Sequence, residues 1–131
     1  MTSNPHPARQ PRPRLDVVRA ALDEATKAAP GEAVEPLARA RGFLDAALDE
    51  AMAESLLAGS SMRSVAEEAG VAPNTVPPRL GRTQALGGYS GPDGRVSAEG
   101  VTRARYDLER GTPPPAAPSS TEPLRFRRRR S

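Results

Sequence analysis

Residues 61–80, SMRSVAEEAGVAPNTVPPRL, restrict the fold more than any other stretch of the chain. Ser61 has the hydroxyl needed to accept from the first free N–H groups of a short helix over 62–69. Val65, Ala66 and Ala69 fall at i, i+1 and i+4 and share one narrow apolar face. The small Ala66 and Ala69 let a second helix approach closely. Gly70 stands where a left-handed residue would end that helix without a Cβ penalty. Val71 returns to the core, Pro73 suits a first helical turn, and Val76 and Leu80 continue an i, i+4 stripe. The pattern is helix, glycine turn, second helix.

The doublet Pro77-Pro78 complicates the second helix. Each proline lacks a donor and clashes with the carbonyl four residues earlier, at about 3 kcal/mol or more inside a helix. Either the helix starts late, with Val76 as cap and Pro77 at its first position, or it is broken. Proline's preference for a first turn favours the late start, a helix over 77–84 carrying Arg79 and Arg82.

On these residues, VAEEAGVAPNTV resembles the helix-turn-helix core of bacterial DNA-binding regulators, in which a VAxxAGVSxxTV run recurs. The resemblance covers residues 61–80 and matches at Val65, Ala66, Ala69, Gly70, Val71 and Val76. It implies an all-α domain of three to five helices. It also implies that residues 73, 74, 77 and 78 face base edges. Three of these are prolines, so the departure from the pattern leaves Asn74, with Thr75 beside it, as the polar reader. The implied partner is DNA, and dimers are common for this motif because operators are palindromic.

At 131 residues the chain has room for one domain plus tails. Leucine, valine and phenylalanine total 21, with no isoleucine, so helices with thin, alanine-rich cores are expected. There is no cysteine, which excludes disulfides and thiolate chemistry. No apolar run reaches membrane-spanning length and no signal-peptide stretch follows the start, so a cytoplasmic location without membrane association is expected.

The expected organisation has three parts. Residues 1–13 form a disordered Pro/Arg arm, with four prolines and the lone His6, which is read as solvated. Residues 14–111 form the helical domain. Its first helix, 14–29, has an apolar stripe of Leu15, Val18, Leu22, Ala25 and Ala29, and Pro30-Gly31 ends it. Its second starts at Pro36 and runs to Gly59, with Leu37, Leu44, Leu48, Met52 and Leu56 as apolar face and Gly42 as weak point. Beyond the motif, residues 85–96 read either as a small two-stranded hairpin, the wing of a winged motif, or as a glycine-rich surface loop. Ser97 then caps a last helix, 98–110, that Gly111 ends. Residues 112–131 form a disordered linker and arginine-rich tail.

Charge is segregated along the chain. Residues 15–58 hold nine acids and four basic residues, a poor surface for DNA. Asp45, Asp49, Glu50 and Glu54 on that segment read as the solvated face of a helix. The tail carries Arg127, Arg128, Arg129 and Arg130, which attract any polyanion by counterion release. The resulting expectation is a small DNA-binding regulator or accessory factor. Asn74 meets a base, Arg79 and Arg82 meet phosphates, Arg95 meets the adjacent backbone or minor groove, and the tail adds non-specific attraction. The alternative is a protein-interaction module on the same scaffold. No nucleophile–base pair, phosphate-binding loop or metal cluster is visible, so neither an enzyme nor a cofactor is expected. A homodimer would use the long second helix.

Overall fold

The computed structural model describes residues 13–113 and residue 115. The arm expected over 1–12 and most of the tail expected over 112–131 lie outside the described residues, His6 and Arg127 to Arg130 among them. Five α-helices and no strand occur among the described residues: α1 (Pro13–Lys27), α2 (Val34–Leu57), α3 (Met62–Ala69), α4 (Val76–Leu80) and α5 (Ala98–Arg110). Two single 3-10 turns, Pro73–Thr75 and Gly87–Tyr89, flank α4. The chain divides into two compact units, the first ending at Leu48 and the second beginning at Asp49.

The first unit is a helical hairpin. Gly31, at φ +90°, turns the chain between α1 and α2, a backbone region open to glycine. Val18 and Ala21 on α1 and Ala40 and Ala47 on α2 are buried. Val18 was expected in the apolar stripe of α1, whereas Ala21, Ala40 and Ala47 were not. Leu22, Leu37 and Leu44 are 44%, 48% and 52% exposed. Leu37 and Leu44 stand three positions before Ala40 and Ala47, about 60° round the helix, and so lie at the edge of the buried stripe. On one side of the hairpin Arg39 donates to Glu24 at 2.6 Å and to Glu35 at 3.0 Å. These hydrogen bonds, and then the guanidinium charge, hold the Glu24 carboxyl below its ordinary range.

In the second unit the core gathers around Leu56, Val76, Leu80, Leu86 and Val96, all fully buried. Met52 and Ala53 from the end of α2, Val65 and Ala66 from α3, and Val101 and Ala104 from α5 complete it. Ser97 caps α5 by accepting from the Gly100 amide at 3.2 Å, and Gly111 closes it in the left-handed region. Buried Tyr89 donates its hydroxyl to Asp107 at 2.8 Å. Burial, followed by that carboxylate, pushes the Tyr89 phenol up.

Residues 85–96 form no strand, so of the two readings the hairpin gives way to the glycine-rich loop. The segment is a 3-10 turn followed by a loop that closes on itself, Gly91 N–H donating to Arg95 O and Gly94 N–H to Gly91 O, both at 2.9 Å. No ladder forms because Leu86, Tyr89 and Val96 each enter the core separately, and Pro92 has no donor to give. The loop is instead fastened to α4. Val96 N–H donates to Pro77 O at 3.0 Å, and a Cβ at Gly81 would collide with the Gly94 carbonyl.

Candidate nucleic-acid interface

The geometry of residues 61–80 begins at Ser61, whose hydroxyl accepts from the Ser64 amide at 3.1 Å. Gly70, at φ +72°, ends α3, and Val71 N–H donates back to Ala66 O at 3.1 Å. That i to i−5 closure satisfies a terminal carbonyl and turns the chain sharply. Ala72 is extended, and Pro73 opens the 3-10 turn. Thr75 N–H and hydroxyl both donate to Ala72 O, at 3.0 and 2.7 Å.

The second helix starts at Val76, one residue before the expected Pro77, with Thr75 rather than Val76 in the cap position. Thr75 precedes α4, and Pro77 falls in its first turn, where an N–H has no intrahelical partner. The helix is shorter than the 77–84 expected, because it stops at Leu80. There the buried Thr83 hydroxyl donates to Leu80 O at 2.6 Å and accepts from Leu86 N–H at 3.1 Å. This local bonding competes with a further helical turn.

The sequence-predicted site residues separate into three groups. Asn74, Thr75 and Arg95 come together on the surface. All three are exposed, and Arg95 donates an Nη2 hydrogen bond to Asn74 O at 3.4 Å. Arg79 and Arg82 converge instead on Asp49, with N to O distances of 2.8 and 3.5 Å. Arg127 to Arg130 form the third group, outside the described residues.

Asp49 is the residue that sequence reading placed wrongly. It is buried rather than solvated, at 6% exposure, and neighbouring Glu50 accepts the Gln84 amide at 2.7 Å. A signal was present: Asp49 lies at i, i+4 and i+7 with Ala53 and Leu56, in phase with buried positions. A carboxylate at a core-phase position calls for a cationic partner, and the arginines of the α4 segment supply it. Asp45 is exposed, as expected of the solvated face.

Arg103 was not singled out from the sequence. Its guanidinium lies over the Tyr89 ring, 5.7 Å from the centroid. Arg95, Arg103, Pro77 and Ser97 line a groove of about 430 Å³, into which Asp93 and Glu99 also project. Its charge is therefore balanced, not basic.

No family model, curated protein or solved structure matches this chain. Among the described residues, no helix is long and apolar enough to cross a membrane.

Proposed function

We propose that this chain is a small helix-turn-helix DNA-binding protein, a transcriptional regulator or accessory factor, in which Asn74 reads a base edge. The observation that carries this reading is the exposed cluster of Asn74, Thr75 and Arg95 at the entry to α4. It follows a helix capped at both ends and a left-handed glycine turn. The loop over 91–95 supplies Arg95 where a wing would otherwise stand, close enough to follow the phosphates beside Asn74. Arg82, with its side chain 67% exposed, retains enough freedom to reach a phosphate, whereas Arg79 serves mainly to hold α4 to α2. Arg127 to Arg130 add attraction without sequence preference.

The test is binding of the full chain to genomic fragments at two salt concentrations. Asn74→Ala should lower discrimination between preferred and scrambled sites by about ten- to a hundredfold, the worth of one good bidentate base contact. Arg95→Ala should weaken binding to all sequences and reduce the salt slope by about one ion. Serine at positions 127–130 should do the same more strongly.

A second reading is favoured by one specific observation: α4 has five residues, and Arg79 is committed to Asp49. A recognition element so short suits a protein-interaction module built on the same scaffold. In that case Asn74→Ala leaves sequence discrimination unchanged, and replacing the arginine tail abolishes whatever DNA binding the full chain has.

A further inference from the structure

We propose that the leucine face of the α1–α2 hairpin is a self-association surface that seats the same face of a second copy, closing a four-helix bundle. An ion pair defines the other side. Arg39 reaches across from α2 to Glu24 on α1, so these two residues mark one flank of the helix pair. Leu22 precedes Glu24 by two positions, and Leu37 precedes Arg39 by two. Two residues turn a helix through about 200°, so both leucines lie on the opposite flank. Leu15 and Leu44 fall seven residues from Leu22 and Leu37 and continue the same rows.

Leu22, Leu37 and Leu44 remain about half exposed, while Ala21, Ala40 and Ala47 are buried. A pair of helices buries one stripe of each, and the remaining apolar stripe calls for another layer. A copy of the same hairpin supplies two helices with the same apolar rows, the complement that a four-helix bundle needs.

Size and charge both point to a second copy. The 15 residues of α1 span about 22 Å, and two helices at normal spacing present a face roughly 18 Å wide. The projected area is near 400 Å² per copy, and side-chain relief raises it toward the roughly 500 Å² per partner that a specific interface needs. The outer edges carry both signs, with exposed Arg19 and Asp23 on α1 and Arg41 and Asp45 on α2. Under a two-fold axis, a rim of mixed sign can pair with itself, whereas a strongly acidic or basic partner gains nothing there. The surface is independent of whether the second unit reads DNA.

Sedimentation equilibrium of the full chain tests the proposal. The wild-type protein is expected at twice the 13.8 kDa chain mass at high micromolar concentration. Leu37→Glu combined with Leu44→Glu should sediment as a monomer with unchanged helicity, since both sites are half exposed. A monomeric wild type, or a double variant that stays dimeric, overturns the proposal. If the double variant loses helicity, single cysteines decide, because the chain has no native thiol. Leu44→Cys should be captured as a dimer by a bis-maleimide, and Val17→Cys, on the Glu24 flank, should not. Equal capture at both sites, or none at Leu44→Cys, overturns the proposal as well.

Discussion

Asp49 and its two arginines make an asymmetric prediction. The Asp49 side chain is 9% exposed, the Arg79 side chain 24% and the Arg82 side chain 67%. Arg79→Ala strands a carboxylate that has little water to replace its partner, and only Arg82, 3.5 Å away, still answers its charge. Breaking a buried pair from one side is strongly destabilising, so a loss of about 3 kcal/mol is expected. Arg82→Ala removes a solvated and longer contact, and the expected loss is below about 1 kcal/mol. Asp49→Asn keeps volume and an acceptor for Arg79 while removing the buried charge, at about 1–2 kcal/mol. Removing both charges with Asp49→Leu and Arg79→Met should be milder than Arg79→Ala alone, because no unpaired ion is left behind. Urea denaturation followed by far-ultraviolet circular dichroism gives each value as a midpoint shift at constant slope. Equal shifts for Arg79→Ala and Arg82→Ala would refute the reasoning. So would a double variant no better than Arg79→Ala.

Val65, 2% exposed, makes Val65→Asp a loss of about 4 kcal/mol or more by burying an unpaired carboxylate, read as an unfolded second unit in the same assay. Two glycines should respond with opposite signs. Gly42→Ala, exposed in α2 with no neighbour near its Cβ, should stabilise by about 0.5–1 kcal/mol, whereas Gly81→Ala should destabilise because the Gly94 carbonyl occupies that space. The melting temperature should fall at both ends of the pH range. Glu24, held below its ordinary 4.5, contributes stability above that value and loses it as pH falls through the lowered one; Glu24→Gln should flatten that limb. Tyr89, pushed above its ordinary 10.0, contributes stability below that value and loses it as pH rises through the raised one; Tyr89→Phe should flatten that limb.

The punctuation of the fold was legible in the sequence. Ser61, Gly70, Ser97 and Gly111 act where they stand because capping is local chemistry, settled by a hydroxyl or a missing Cβ. Pro77 entered a first turn for an equally local reason. The choice of buried face was not local. In α2 the row through Leu37 and Leu44 and the row through Ala40 and Ala47 share one period and lie side by side, and periodicity alone does not say which is buried. The burial of Asp49 rested on a partner thirty positions away. For residues 85–96 the sequence left hairpin and loop open, and the loop prevailed because Tyr89 and Val96, which would have faced each other in a hairpin, are drawn into the core. At the candidate interface, the exposure of Asn74 and Thr75 followed from the turn chemistry. The diversion of Arg79 and Arg82 to Asp49 did not, since nothing near them in the chain announces it.

The carboxyl end of α2 depends on residues made much later. Its last turn has no basic side chain, and Arg105 of α5 supplies one, donating to Leu56 O at 2.8 Å and Ser60 O at 3.0 Å. Leu56 O, in the last turn of α2, also accepts from Gly59 N–H at 3.0 Å, and the guanidinium adds a second donor there while its charge complements the helix dipole. The partners are 49 and 45 positions apart, so closing this contact encloses most of the second unit. A chain that ends before Arg105 lacks this contact, and the carboxyl end of α2 is expected to exchange its amide hydrogens faster in it than in the full chain.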